Sequence, residues 1–308
     1  MNMKLINPDP KATDIRYNRI QNEREFLKPP LLALNRVEQL YEITHDLLDA
    51  KFKEQIKHDF AGCYSEMYFA AALRHRLGLT LTHPSDKGPD LFIHDFNCWA
   101  EVTAVCDGQE GNENSVPKTV IGKVQSSPET QVILRLTNAF ISKARIIKDY
   151  IDKQIIRPDQ RVIICISGGW MSEWMPMYPV GGYPQIVKSL LPIGDLVLRI
   201  SRDTKEIIDQ EYKYRDSVTK KGENGHIPIS TRFFLDSFYS FVSGVLYSYG
   251  NAFNPMEVDK LGSDFFFVHN PLAKNKIAEG SIKCGQEYVV QADDESFTMK
   301  PVIDHEKS

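Results

Sequence analysis

The chain has 308 residues, of which 42% are hydrophobic and 25% charged, which is typical of a globular protein with one large domain or two small ones. Its 37 Lys and Arg residues against 41 Asp and Glu residues give a formal net charge of −4, so binding to nucleic acid would require a local basic patch or a bridging metal ion. The first residues contain no apolar signal-peptide core and no run approaches about 18 apolar residues, so we expect a soluble, cytoplasmic protein without membrane contact.

The cysteine pattern indicates a reducing compartment. The cysteines are odd in number, and no two of them form a Cys-x-x-Cys pair. Three of them, Cys98, Cys106 and Cys165, lie in or beside apolar runs typical of strands. We therefore interpret them as small buried core residues rather than as disulfide partners or zinc ligands.

Apolar periodicity predicts an α/β protein whose central part carries the clearest signals. In chain order we expect a helix over about 60–77 ended by Gly78, strands over 79–83, 90–94 and 98–105, a long loop over 106–130, a helix over 131–153 and a strand over 161–167. This order predicts a mixed central sheet flanked by helices.

The flanking parts of the chain extend this core. Residues 1–58 are interpreted as an arm, loose up to about residue 30, followed by a helix over 31–58, and residues 59–168 as the core. Residues 169–308 are expected to complete the sheet, with strands over 196–201, 231–237 and 263–271 and a helix plus a loop over 205–230. Because no internal repeat or Pro/Ser/Gly linker divides the chain, we expect a single elaborated domain over 1–308.

Glu101 lies inside an apolar strand pattern, in the stretch Trp-Ala-Glu-Val-Thr. Two interpretations are open. The strand can be half exposed, with a polar face formed by Asn97, Trp99, Glu101 and Thr103. Alternatively the carboxylate is buried and therefore paired, because an unpaired buried charge costs on the order of several kcal/mol.

Asp90 begins the preceding strand, directly after Gly88 and Pro89. Carboxylates on adjacent strands can converge, and two that converge repel each other unless a cation joins them. A hard divalent ion such as Mg²⁺ is commonly held by one or two carboxylates together with substrate phosphate. Asp90 and Glu101 are therefore candidate metal ligands.

Glu66 is the acidic residue of an otherwise apolar helix. On a helical projection it falls beside Cys63, Ala70 and Leu73, away from the basic end of the helix. It is either a flank residue paired with a neighbouring Lys or Arg, or a carboxylate that turns toward the strands.

Lys143 is the basic residue on the apolar side of the next helix. At about 100° per residue it falls inside the apolar stripe formed by Leu136, Phe140, Ile147 and Ile151. Such a Lys either extends past its neighbours to solvent or meets a carboxylate, and we favour the second.

The succession of a helix Glu, Gly-Pro-Asp at a strand and Trp-Ala-Glu-Val-Thr in the next strand resembles the core of the PD-(D/E)xK nuclease superfamily. That superfamily has the restriction-endonuclease-like fold, with its αβββαβ order. The resemblance covers about residues 58–168, roughly a third of the chain. The blocks GPDLFIHDFNCWAEVTAV, LRLTNAFISKARIIKDYI and FVHNPLA resemble, more narrowly, a bacterial branch of that superfamily that brings no known substrate.

The resemblance implies that Glu66, Asp90, Glu101 and Lys143 are catalytic. Asp90 and Glu101 would bind Mg²⁺ or Mn²⁺, which polarises a phosphodiester and lowers the pKa of the attacking water. This chain departs from the family pattern two residues after Glu101, where Thr103 replaces the usual Lys. Some members supply that Lys from a following helix, and Lys143 could fill this place.

The same resemblance implies a DNA or RNA substrate, contacted by Thr103, Gln131 and Arg135. The expected function is divalent-metal-dependent hydrolysis of phosphodiester bonds in nucleic acid. A catalytically inactive nuclease-fold protein that serves in binding is the alternative. Thr103 and the acidic net charge favour this alternative, whereas Lys143 and Gly-Pro-Asp favour the nuclease.

Two weaker signals lie outside the core. His226 and Asp236 are near several serines, but the nucleophile-elbow pattern Gly-x-Ser-x-Gly is missing, which disfavours a serine hydrolase. The aromatic residues Trp170, Trp174 and Tyr178 either stack on bases or simply pack a long loop.

Overall fold

The structure is a computed structural model that describes residues 4–83, 88–120, 122–171, 182–223, 225–292, 297–300 and 302–306. Its helices are α1 (Ile15–Glu23), α2 (Lys28–Thr44), α3 (Phe52–Gln55), α4 (Phe60–Ala71), α5 (Glu129–Asp152) and α6 (Gln185–Leu190). Its strands are β1 (Leu81–Thr82), β2 (Leu91–Ile93), β3 (Cys98–Cys106), β4 (Arg161–Trp170), β5 (Ile193–Ile200), β6 (Ile207–Tyr214), β7 (Ser217–Gly222), β8 (Gly225–Ser230), β9 (Gly244–Ser248), β10 (Phe265–His269), β11 (Gln286–Tyr288), β12 (Val290–Ala292), β13 (Phe297–Met299) and β14 (Ile303–Asp304). None of the helices within these ranges combines the length and apolar composition needed to cross a bilayer.

A mixed eight-stranded sheet organises the fold, in the order β1-β2-β3-β4-β9-β10-β11-β14. The pairs β3–β4, β4–β9 and β10–β11 are parallel, and the other neighbours are antiparallel. From α4 to β4 the elements follow the order helix, three strands, helix, strand. The expected α/β architecture with a mixed sheet flanked by helices is therefore confirmed, and strands of the C-terminal part continue the same sheet.

Helices cover both faces of this sheet. Ala100 and Val102 of β3 pack into the cluster that contains the buried residues of α1, α2 and α4. Trp99 and Val105, at the alternate positions, pack into the cluster that contains those of α5 and α6. Because successive side chains of a strand point to opposite faces, Glu101 shares the α5 face with Trp99.

The helix α4 is buried on nearly all sides, as its apolar sequence predicts. Ten of its 12 residues are buried, and the Asp59 carboxylate caps its first turn by accepting a hydrogen bond from the Gly62 N–H. The helix ends in a widened turn, in which the Leu77 N–H donates to the carbonyl of Ala72. Gly78 follows with φ of +68°, a left-handed conformation that glycine adopts without strain.

The N-terminal residues pack more closely than the sequence suggests. Leu5 and Ile6 are buried, and their backbone N–H groups donate to the Glu38 carboxylate. The prediction of a loose arm up to residue 30 is therefore wrong, because this segment contains α1 and the hydrogen bonds of Leu5 and Ile6 to Glu38. The single helix expected over 31–58 is also wrong, because the chain divides it into α2 and α3.

The C-terminal part differs from the sequence prediction in three places. The segment 205–230 contains β6 and the hairpin of β7 and β8 instead of a helix, and every residue of β6 is exposed, so no apolar alternation marks it. Residues 233–235 form a 3₁₀ turn rather than a strand. The prediction missed β9, which is buried at all five positions and lies between β4 and β10; a short strand that is buried on both faces shows no alternation of apolar and polar residues.

Candidate active site

Glu101 and Lys143 form an ion pair inside the molecule. Glu101 is 4% exposed in the middle of β3, and the Lys143 Nζ of α5 donates to its Oε1 over 2.7 Å. The half-exposed strand is therefore the wrong interpretation of the Glu101 pattern. The inward orientation of Lys143, and its contact with a carboxylate, agree with the helical projection.

Asp90 faces the same side of the sheet as Glu101. In the antiparallel register of β2 and β3, Leu91 pairs with Ala100, so the preceding residue, Asp90, stands opposite Glu101. The Asp90 Oδ2 accepts a hydrogen bond of 2.6 Å from the Val102 N–H. The Asp90 carboxylate thus accepts the hydrogen bond that a backbone carbonyl of a paired strand would accept. This hydrogen bond holds Asp90 beside β3.

Glu66 approaches from α4, on the other side of the sheet. It is half-buried and forms no ion pair with any Lys or Arg among the described residues, so the pairing with a helix neighbour is not found. Burial and then the nearby Asp90 carboxylate raise the pKa of Glu66 to about 8. A carboxyl group with such a pKa can hold or release a proton near neutral pH.

These carboxyl groups share one electrostatic environment. Burial and then repulsion from Asp90 raise the pKa of Glu101 to about 7 despite Lys143, and burial also raises the pKa of Asp90. Burial alone would lower the pKa of Lys143, but the three carboxylates raise it overall. One ammonium therefore faces three acidic groups, which is an excess of negative charge that a cation would relieve.

One observation supports a divalent cation beside Asp90 and Glu101. The second carboxylate oxygen of Glu101, Oε2, is buried and has no hydrogen-bond partner among the described residues, an arrangement that is unfavourable without a bound cation, proton or water. Asp90 and Glu101 together supply the one or two carboxylates that Mg²⁺ usually takes from a protein. Within the described ranges, no three His, Cys, Asp or Glu side chains are grouped so as to hold a metal ion by themselves.

The expected substrate contacts are distributed along β3 and α5. Thr103 is half-buried two residues beyond Glu101 on the same strand face. Gln131 lines a hollow of about 490 Å³ formed mainly by the loop 107–118. Arg135 donates from Nε to the carbonyl of Cys106 at the end of β3. Gln131 and Arg135 precede Lys143 on α5 by more than two turns, so neither lies at the carboxylates.

Two site residues were missed by the sequence analysis. Tyr150 lies two helical turns after Lys143, and burial followed by repulsion from Glu101 and Asp90 raises its pKa; its spacing of seven from Lys143 was the available signal. The His83 Nδ1 lies 2.8 Å from the carbonyl of Asp90. Because a carbonyl only accepts, Nδ1 carries the proton, and the buried Nε2 has no hydrogen-bond partner within the described ranges. No sequence pattern marks His83.

The weaker candidates do not form a site. His226 lies in the exposed strand β8 opposite Lys221, whereas the Asp236 carboxylate accepts a hydrogen bond from a backbone N–H two residues later, as a turn residue does. Trp170 is buried at the end of β4 and donates from Nε1 to the Ser65 hydroxyl, so packing is its role. The other two aromatic candidates, Trp174 and Tyr178, lie outside the described residues.

The candidate site therefore combines carboxylates from α4, from the residue before β2 and from β3 with an amine from α5. It is an acidic cluster with one fixed positive charge, in which burial raises the pKa of one carboxyl group, that of Glu66, to about 8. Comparisons of the chain with protein-family models, with curated protein sequences and with solved structures found no match.

Proposed function

We propose that the chain is a divalent-metal-dependent phosphodiesterase that hydrolyses DNA or RNA at a PD-(D/E)xK-like site with a relocated Lys. The observation that carries this proposal is the state of Glu101. One of its oxygens is bound by Lys143, the other is buried with no hydrogen-bond partner in the described part of the chain, and Asp90 stands opposite, directly before the neighbouring strand. Asp90 and the second oxygen of Glu101 together offer the carboxylate oxygens that Mg²⁺ commonly takes from a protein.

The order of elements supports a restriction-endonuclease-like core. Residues 60–170 follow the helix-strand-strand-strand-helix-strand order of that fold, and the three carboxyl groups stand on its first helix, before its second strand and on its third strand. The amine comes from the second helix, as the replacement of the usual Lys by Thr103 requires.

Each residue has a role in the proposed reaction. Asp90 and Glu101 would hold Mg²⁺ or Mn²⁺, which would supply polarisation of the phosphodiester and a lowered pKa of the attacking water. Lys143 keeps Glu101 ionised and offsets the negative charge that develops on the phosphate oxygens. Glu66 accepts a proton from the attacking water, since its raised pKa is close to neutral pH.

A nuclease-fold protein that binds without cleaving is the second candidate. It is favoured by the ion pair of Lys143 with Glu101, which already neutralises one carboxylate. Thr103 also leaves the usual Lys position without a positive charge. In that case the cluster stabilises the fold, and no divalent ion is required.

The two candidates differ in divalent-ion binding and in cleavage. We expect isothermal calorimetry to detect Mg²⁺ or Mn²⁺ binding at millimolar concentration by the wild-type protein, and to lose it in Asp90→Asn. In the presence of Mn²⁺, the wild-type protein should cleave at least one of labelled single- or double-stranded DNA or RNA. The wild-type protein in EDTA and the Glu101→Gln variant in Mn²⁺ should not cleave. Asp149 forms an exposed ion pair with Lys153 at the C-terminal end of α5. The variant Asp149→Asn is the matched control and should behave as wild type. Absence of metal binding by wild type would overturn the nuclease proposal.

A further inference from the structure

A preformed pocket lies between the loop 107–118, the first half of α5 and the hairpin of β7 and β8. Its volume is about 340 Å³, at the lower end of the range of small-molecule sites, which is about 300–1,000 Å³. The residues that line it include two cations, several side-chain amides and an apolar wall, and none of them is Asp or Glu. In a chain with a net charge of −4, this lining is unusually positive.

Both cations of the pocket lack an acidic partner among the described residues. Arg135 donates from Nε to the Cys106 carbonyl, which fixes the guanidinium and leaves its other N–H groups without a hydrogen-bond acceptor. Lys220 is exposed and forms no ion pair there. The acidic residues of the neighbouring loop are neutralised elsewhere, Glu110 by Lys118 at 3.0 Å and Glu113 by Lys221 at 3.1 Å.

The walls of the pocket are held in place by specific contacts. The Asn114 side chain donates to the Lys221 carbonyl and accepts from the Lys221 N–H, both at 2.8 Å, so the loop is fastened to the hairpin. Gly108 adopts φ of +100°, and a Cβ there would stand 2.6 Å from the Ser115 Oγ and 3.5 Å from the Arg135 Nη1. Glycine adopts this φ without strain, and it avoids the collision that a Cβ would make with Ser115.

We propose that this pocket binds one nucleotide unit of a single nucleic-acid strand, remote from the bond that is cleaved. The phosphate lies between Arg135 and Lys220, because guanidinium and ammonium groups without acidic partners favour phosphate oxygens. The base packs on the apolar wall of Ile141 and Ile229, with the free amide of Gln109 at its polar edge.

The choice of a strand over a free nucleotide rests on the proposed function. Arg135 and Lys143 are eight residues apart on α5, which corresponds to about 12 Å along the helix axis. At roughly 3.4 Å per nucleotide in a helical strand, a strand from the pocket reaches the carboxylates after about three or four nucleotides. The pocket then binds one nucleotide of the substrate strand while a phosphodiester about three or four nucleotides away lies at Glu101.

The test compares Lys220 of the pocket with Lys213, an exposed lysine of β6 that lies outside the pocket lining. Fluorescence anisotropy with a labelled single strand of roughly 12 nucleotides is measured in EDTA, where no hydrolysis occurs. We expect Lys220→Gln to weaken binding roughly ten-fold and to reduce the slope of log K against log salt by about 0.7. Lys213→Gln, the matched control, should bind as wild type. Equal binding by both variants, or calorimetric binding of AMP without binding of the strand, would overturn the inference.

Failure of this inference is distinguishable from failure of the proposed function. If wild type cleaves no nucleic acid but Lys220→Gln selectively weakens strand binding, the pocket stands and the catalytic proposal fails. If wild type cleaves and Lys220→Gln binds and cleaves equally well, the catalytic proposal stands and the pocket inference fails.

Discussion

The Nζ of Lys143 lies 2.7 Å from the Oε1 of Glu101, joining the centre of α5 to the centre of β3. The Glu101 side chain is 6% exposed and that of Lys143 is 21% exposed, so the pair is largely removed from water. Breaking such a pair is costly, because the remaining charge stays buried without compensation. The pair therefore serves both the fold and the chemistry proposed for the site.

Replacing Lys143 by Met should destabilise the protein, and more strongly at high pH. Glu101 would then be protonated in the folded state, so its folded pKa rises further above the unfolded value. A raised folded pKa makes stability decrease as pH increases through that range. We expect a loss of about 2 kcal/mol at pH 8 and a smaller loss at pH 6, measured by urea unfolding.

Lys148→Met on the same helix is the matched control for this variant. Lys148 pairs with Asp152 in solvent, with side-chain exposures of 44% and 59%, and an exposed pair contributes only about 0.3–0.5 kcal/mol. Equal losses for the two variants would contradict a special role of the buried pair.

Replacing Glu66 by Gln should raise the melting temperature at pH 8 and leave it nearly unchanged at pH 5. The pKa of Glu66 in the folded state is about 8, above its ordinary value of 4.5. Between these two pH values the folded state therefore binds more protons than the unfolded state. Stability is then fully present below the unfolded pKa and is lost as pH rises toward 8. Gln resembles the protonated form and avoids this loss.

Scanning calorimetry in EDTA at both pH values measures the effect of Glu66→Gln. Glu25→Gln, at an exposed position, should change the melting temperature equally little at either pH. A Glu66→Gln shift that is the same at pH 5 and pH 8 would show that the Glu66 carboxyl titrates alike in the folded and unfolded states.

Asp90 has a structural role that is separable from its proposed metal binding. Asp90→Ala removes the acceptor of the Val102 N–H and should cost about 1–2 kcal/mol, the usual penalty for an unsatisfied buried donor. Asp90→Asn retains an acceptor oxygen and should cost less. Chemical denaturation in EDTA compares the two, and equal losses would mean that the hydrogen bond contributes little. Asn is for this reason the proper variant for metal-binding tests.

Tyr68 of α4 should be more sensitive to loss of its hydroxyl than Tyr64 one turn earlier. The Tyr68 hydroxyl donates to the buried Asp264 carboxylate, so Tyr68→Phe should cost roughly 1–3 kcal/mol. The Tyr64 hydroxyl is buried with no hydrogen-bond partner among the residues that the structure describes, so Tyr64→Phe should be neutral or slightly stabilising. The rings lie 6.0 Å apart in similar packing, which makes the pair a close comparison. Equal unfolding free energies for the two variants would contradict this assignment.

Local sequence was sufficient for the elements that carry the site. The helices around Glu66 and Lys143 and the strand around Glu101 follow from apolar periodicity, because each packs one or more faces against a neighbouring layer. The inward orientation of Lys143 follows from the same argument. The strands of 205–230 and the strand β9 did not follow, since the former are almost entirely exposed and the latter is buried at every position.

The sequence alone determined that an α/β core presents Glu66, Asp90, Glu101 and Lys143 on particular elements. Only the tertiary structure decided which of them meet. The β2–β3 register sets Asp90 opposite Glu101, and the packing of α5 on β3 joins Lys143 to Glu101 while carrying Arg135 to the far end of the strand. The physical reason is that periodicity reports which face of an element is covered, whereas register and packing between distant segments depend on how all the layers fit together.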